Sequence, residues 1–366
     1  MKKYQKIYSD LLAKINKNEL KENEKIPTEN ELCKLYGVSR ITAVRAVNEL
    51  AKDKLIVRHP KTGSFVSSRH FNPLLPFYIL IPSFVHNFFT KSSYAFSEYF
   101  RNKGCIASII YTRFNLNYIS MVIDSLNNTG CSGIAIYPSA HKHDELPLLK
   151  LLEAARFNVA IGYRELEGFS GTEVIIDEYD ASAQAVNHLV DLGHRRIAYV
   201  GSELEKDEKS NHIRYNAFKK TCAEKGLKEE DCPFIDKTDH LSIHTIKKIF
   251  QSKSCPTAVI TVSEYYAVII FDMLTSFGIE IPKTVAIVSI DGGELSSSVE
   301  VPLTAIEFPA YKIGEMLAEE LYNMAKNPNL GKIKRVFKEK STIIVRESCG
   351  SNTKHRHEYI REKVRM

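Results

Sequence analysis

Residues 26–66, IPTENELCKLYGVSRITAVRAVNELAKDKLIVRHPKTGSFV, decide how the front of this chain folds. Thr28 with Glu31 three residues on has the form of a capping box, and Gly37 is a natural helix stop, which predicts a helix between them. Ser39 stands where it can cap a third helix, SRITAVRAVNELAKDK, whose Val44, Val47, Leu50 and Ala51 are expected to face a core. The turn Gly37-Val38-Ser39 is as short as a helix-turn-helix requires. Two short strands follow, LIVRH and SFVSS, joined at Pro60-Lys61-Thr62-Gly63. Upstream, Tyr4, Ile7, Tyr8, Leu11, Leu12 and Ile15 recur at helical spacing, with Lys6, Lys14 and Lys17 off the stripe. Three helices and a hairpin within residues 1–69 predict a winged helix-turn-helix.

That motif lays the start of its third helix in a DNA major groove, where side chains reach base edges and the helix N-terminus favours phosphate. Arg40 and Arg45 are the candidates for guanine or phosphate, and Thr42 for a base or thymine methyl. Lys61 and Ser64, beside Gly63 on the wing, would meet the adjacent backbone; Thr28, Asn30 and Ser39 complete the expected DNA face.

The whole head, residues 4–67, resembles the GntR-type winged helix, whose pattern runs LPSERELAEELGVSRTTVREAL and ends in GTFV. One departure matters. The family's common Arg of SER is Asn30 here, so one DNA contact of the resemblance is altered.

Charge agrees with a DNA-binding head. The chain carries a net +6, yet residues 1–70 hold fifteen Lys/Arg against eight Asp/Glu, and the tail 350–366 holds five against two. A basic head on a slightly acidic body suits a head that meets phosphates. At 366 residues, 44% hydrophobic, the chain has length and apolar content for two or three globular domains. No apolar run is long enough to cross a membrane and no signal-peptide core follows the N-terminus, so a cytoplasmic location is expected. Seven scattered cysteines without a CxxC pair predict reduced, partly buried thiols and no zinc site, with Cys349 expected to be exposed.

After a linker at 70–76, eight apolar runs alternate with helical stretches: FYILIPS, CIASIIYT, SGIAIYP, VAIGYR, EVIID, RIAYVG, TAVITV and VAIVSID. Continuous β-branched strands separated by helices mean parallel sheets covered on both faces. The count suits two lobes rather than one small sheet. The predicted fold is therefore α/β: the winged head, then a two-lobed, doubly wound domain over 77–349, with ligands at the carboxyl ends of its strands.

The body, too, carries a resemblance. VIIDEYDASAQAVNHLVDLGHRRIAYVG, RYNAFKKTCAEKGL, PTAVITVSEYYA, VAIVSIDG and PLTAIEFPAYKIGEMLAEEL resemble, in order, segments of the lactose-repressor family's sensor domains. The resemblance implies a periplasmic-binding-protein-like sensor with three crossovers between lobes. It places lobe one at about 77–173 and 309–330, and lobe two at about 174–307 and 331–349. A GntR-type head on such a body resembles the arabinose-repressor subgroup.

By that resemblance Arg214 and Asp291 bind sugar hydroxyls. The chemistry is apt, since a carboxylate accepts two hydroxyl hydrogens and a guanidinium donates in fixed directions. Phe84, Phe88 and Phe308 are candidates to stack on a sugar ring, and Tyr111, Arg113 and Arg164 are further cleft candidates. Ser263 and Glu264 stand where the family has Asn and Asp, which implies a changed pocket.

The expected function is a ligand-responsive regulator, a homodimer on double-stranded operator DNA. It would repress carbohydrate-utilisation genes until a monosaccharide or sugar derivative releases it. The alternative is a DNA-binding regulator with a degenerate pocket, whose body dimerises or docks a protein corepressor. No GxxxxGK[ST], GxGxxG after a strand, GxSxG or HExxH is present, so neither an enzyme nor a cofactor is expected.

Overall fold

A computed structural model describes residues 3–16, 19–21, 23–53, 55–60, 62–67, 76–201, 209–236, 242–327 and 329–351, residue 332 by its backbone alone. Lys61, linker residues 70–75 and the tail from 352 onward lie outside the described residues.

The head begins with the helix Lys3–Asn16, which buries Ile7, Leu11 and Ile15. The helix Glu29–Tyr36 starts in the expected capping box: the Glu31 N–H donates to Thr28 Oγ1 at 3.3 Å and the Thr28 N–H to Glu31 Oε2 at 2.7 Å. It ends at Gly37 with φ 59°, a left-handed position that glycine adopts without strain.

The third helix, Arg40–Lys52, differs from expectation in two details. Its buried face is Ala43, Ala46, Val47 and Leu50, with Val44 and Ala51 only half-buried, because the two alanines let the first helix approach closely. Ser39 occupies the cap position, but its hydroxyl bonds the Thr42 hydroxyl at 2.9 Å rather than a backbone N–H. The strands Ile56–His59 and Gly63–Val66 then pair antiparallel as the wing, Ile56 opposite Val66.

The body contains two six-stranded sheets. The first runs Arg335–Glu339, Thr172–Ile176, Asn158–Tyr163, Gly133–Ile136, Pro76–Ile81, Ile106–Tyr111, all parallel. The second runs Thr342–Ile344, Thr304–Glu307, Ala286–Ile290, Ala258–Thr261, Ile197–Gly201, Phe234–Asp236, parallel except for Thr342–Ile344. Every apolar run picked out in the sequence supplies a strand.

Two expected lobe boundaries shift. Thr172–Ile176 completes the first sheet, so the chain leaves lobe one after Ile176 rather than at 173. Arg335–Glu339 pairs with that strand, so the segment from 331 returns to lobe one before Thr342–Ile344 joins lobe two. The helix Ala310–Lys326 packs on Asn87–Asn102 in lobe one. At their contact a Cβ on Gly314 would lie 2.0 Å from the Ser92 carbonyl, so only glycine admits this crossing.

All seven cysteines are free thiols, and no cluster of potential metal ligands occurs among the described residues. Cys349 is buried rather than exposed, tucked under the strand Ala286–Ile290 by the turn 347–349.

Candidate functional site

The parallel sheets turn their carboxyl ends toward a common cleft, and the backbone is strained there. Tyr163 (φ 74°) ends a lobe-one strand and Asp291 (φ 69°) follows a lobe-two strand, both non-glycine residues in the left-handed region. Such strain persists only where surrounding structure enforces it, and it concentrates at functional sites.

Lobe two's wall is built from buried charge. Arg214, on the helix Lys209–Glu224, donates from Nη1 to the Val262 carbonyl at 3.0 Å and from Nη2 to Glu178 Oε1 at 3.1 Å. Its Nε is buried with no partner among the described residues. Its guanidinium lies 5.1 Å from the centre of the Phe308 ring. Burial works against the charge of Arg214, but Glu178 together with Tyr163, Asp291 and Tyr199 outweighs it and holds the guanidinium ionised beyond its ordinary range. Glu178 opens the helix Glu178–Asp191 and is 5% exposed, so this is a buried ion pair. The residue-by-residue reading missed Glu178, since an acid in a helix's first turn has the form of a solvated cap.

Glu264 is bonded to the loop beside Asp291. It accepts from the Gly293 N–H at 2.7 Å, the Ser296 N–H at 3.1 Å and the Ser296 hydroxyl at 3.0 Å. Those bonds pin the loop directly after Asp291, whose carbonyl accepts from the Glu264 N–H at 3.2 Å. A Cβ on Gly293 would come 2.5 Å from Glu264 Oε1, so a larger residue there would push the carboxylate out of the clamp. Glu264 is thus a positioning group. Ser263 precedes it as the half-buried cap of the helix Glu264–Ser276, without a side-chain capping bond.

Lobe one's wall is mostly aromatic. Phe88 packs edge-on to Tyr163 at 4.6 Å and Tyr137 at 5.9 Å, and Tyr163 reaches Phe308 at 6.0 Å. Arg164 lies over the Tyr163 ring at 4.5 Å, bonded to the Pro138 carbonyl at 3.4 Å. Among the described residues its Nε has no hydrogen-bond partner and it makes no inter-lobe ion pair. Two bonds that sequence reasoning did not anticipate cross between lobes: His86 Nε2 to Asp291 Oδ2 at 3.1 Å, and Lys91 Nζ to Glu307 Oε1 at 2.7 Å.

Of the expected cleft residues, Phe88, Glu264, Asp291 and Phe308 line one pocket with His86 and Lys91, and Arg214 stands against it. Phe84 and Tyr111 instead form a half-exposed pair 5.2 Å apart outside that pocket, with Arg113 exposed nearby. The pocket leaves about 10 Å³ of free space, room for about one water.

On the head, the Arg40 side chain is 76% exposed and its Nε lies 3.9 Å from Glu29. Glu29 is held more closely by Arg58 of the wing at 2.5 Å, and Arg58 also bonds Asn48, tying the wing to the third helix. Arg58 was missed in the sequence because a strand arginine has no helical spacing to place it. Arg45 lies 4.1 Å over the Tyr4 ring, anchored but exposed. Asn30, Ser39 and Thr28 are exposed at the same helix starts, Thr42 is half-buried, and Gly63 and Ser64 are half-buried on the wing.

Comparison with known proteins agrees with both halves. Residues 3–66 match the bacterial regulatory proteins of the gntR family, and residues 186–349 match a periplasmic binding protein-like domain. An arabinose metabolism transcriptional repressor of Geobacillus stearothermophilus is 23% identical over 94% of this chain and 97% of its own length. Another, from Halalkalibacterium halodurans, is 24% identical over 85% of this chain and 86% of its own. The body superposes on a LacI family transcriptional regulator from Enterococcus faecium with bound ribose, TM-score 0.60 and 18% identity, covering 75% of this chain and 98% of that one. The chain thus joins a head that matches the gntR regulators to a body that matches a periplasmic binding protein-like domain, and the proteins it resembles over most of its length are transcriptional repressors.

Proposed function

We propose that the protein represses carbohydrate-utilisation genes and that a monosaccharide or sugar derivative releases it from its operator. The observation that carries this reading is the fixed carboxylate of Asp291 and guanidinium of Arg214 facing the rings of Phe88 and Phe308 in one cleft. Carboxylate and guanidinium together read vicinal hydroxyls by direction, and aromatic rings cover the apolar face of a sugar. Relatives named for arabinose metabolism, and a structural neighbour with bound ribose, support a pentose as the first ligand to try.

In this reading the protein works in the cytoplasm as a homodimer. A two-fold dimer sets its heads on half-sites about one helical turn, or a multiple, apart. Arg40, Thr42 and Arg45 read the groove while Ser64 and Lys61 meet the backbone. Arg45→Ala then costs roughly 1–3 kcal/mol of specific binding at fixed salt. A ligand that touches both lobes favours one degree of closure, and that differential affinity shifts the spacing of the heads.

The test is Asp291→Ala, which should keep operator affinity and lose the sugar response. A variant that still responds at the same sugar concentration would overturn the pocket assignment. A wild-type protein whose melting temperature no free or phosphorylated monosaccharide raises would overturn the effector reading.

A further inference from the structure

His86 has no role in the function just proposed, yet it occupies the centre of the cleft. It caps the helix Asn87–Asn102 of lobe one without using its side chain for the cap. Its Nε2 lies 3.1 Å from Asp291 Oδ2 across the lobes, its ring packs 5.3 Å from that of Phe89, and its Nδ1 is buried without a partner among the described residues. Asp291, 8% exposed and with φ 69°, has its Oδ2 taken by the histidine. With about 10 Å³ left in the pocket, Asp291 has no face free for a ligand of sugar size while the imidazole is there.

We propose that His86 is a built-in competitor for the effector: its imidazole occupies Asp291 in the unliganded protein, and a hydroxyl-bearing effector gains that carboxylate only by displacing it. The proposal rests on reading the cleft as the effector site. Displacement is feasible because the His86 side chain is 41% exposed, so the released ring finds water on its open side. Asp291 has the opposite character, 12% exposed at its side chain, so it needs either the imidazole or the effector as a partner.

The competition depends on pH. The charged groups facing His86 are Asp291 after the strand Ala286–Ile290, Glu264 on the helix Glu264–Ser276, and Arg214 on the helix Lys209–Glu224. Lys91 and Glu307 line the same pocket but are bonded to each other. Burial lowers the basicity of His86, and Arg214 adds to that. The bond to Asp291 and the charges of Asp291 and Glu264 together outweigh them and hold the imidazole above the ordinary histidine range. A group raised in this way grips hardest below its ordinary pKa and lets go as pH rises through the raised one. Effector affinity should therefore increase with pH over that interval, with proton release on binding.

Calorimetry on the full-length protein with L-arabinose and D-ribose at pH 6 and pH 8 tests this. His86→Ala should bind roughly three- to tenfold tighter than wild type at pH 6, the scale of an ion pair that is partly screened, and should lose the pH dependence. His86→Gln, which keeps a donor but cannot titrate, should also bind independently of pH. Weaker or equal binding by His86→Ala overturns the proposal. Imidazole titration by NMR needs no sugar: Asp291→Asn should lower the titration of His86, and an unmoved titration overturns the competitor alone. No heat with either sugar in wild type and both His86 variants, at both pH values, overturns the effector reading and the competitor with it.

Discussion

The two walls of the cleft are made of different materials. Lobe two presents charges that are already bonded: Arg214 to Glu178 and the Val262 carbonyl, and Glu264 to three donors beside Asp291. Lobe one presents rings, some packed and some open, with Arg164 over Tyr163 and Phe84 half-exposed against Tyr111. Where polar groups are fixed before a ligand arrives, little side-chain freedom remains to be lost on binding. Where half-exposed rings form a wall, substitution changes its shape at small cost to the fold. Under the proposed function, lobe two would set which chemistry is recognised and lobe one would adjust the fit around it.

The sharpest way to break this contrast is to remove Glu178. Glu178→Ala leaves the buried Arg214 guanidinium uncompensated, and urea unfolding should report a loss of about 3–5 kcal/mol. Replacing the pair together, Glu178→Leu with Arg214→Met, should recover most of it, since neither charge then remains unpaired. A loss below about 1 kcal/mol for the single variant would mean the wall is not held by that pair. Next in size is Glu264→Ala, which strands two backbone N–H groups and the Ser296 hydroxyl. It should cost about 1–3 kcal/mol in the same assay, with effector binding weakened through the loosened Asp291 loop. Full stability with lost sugar binding would instead make Glu264 a direct ligand contact.

Much of this molecule was legible in its sequence, and the reasons are specific. The helix Glu29–Tyr36 could be read because Thr28, Glu31 and Gly37 act within one or two turns of chain. The long strands could be read because parallel strands covered on both faces are continuously apolar. Arg335–Glu339 could not: RVFKE has only two apolar residues, set between charged ones at the sheet's edge, and it carried a lobe boundary with it. Phe234–Asp236 is too short to carry a pattern. In the site, Arg214 and Asp291 were identified by resemblance, but their partners Glu178 and His86 lie 36 and 205 positions away. No local pattern marks a charge that a distant segment will neutralise. Glu264, placed by resemblance among the ligand contacts, proved to be bonded inward by a loop that the sequence does not position.

The smallest expected effect sharpens the other side of the contrast. Phe84 and Tyr111 face each other with centroids 5.2 Å apart and planes tilted by 45°, but the residues are 52% and 42% exposed. Half-exposed rings contribute mainly their mutual contact, so Phe84→Ala should cost about 0.5–1 kcal/mol by urea unfolding. A double-mutant cycle with Tyr111→Ala should assign most of that cost to the pair. Because the pair lies outside the pocket that holds Asp291, sugar affinity should stay within about threefold of wild type, a change of under 1 kcal/mol. A stability loss above about 2 kcal/mol would mean that lobe one's rim is held as firmly as lobe two's buried pair. A large loss of sugar affinity with stability intact would place Phe84 on the ligand in the closed form, and lobe one would then select the sugar rather than adjust around it.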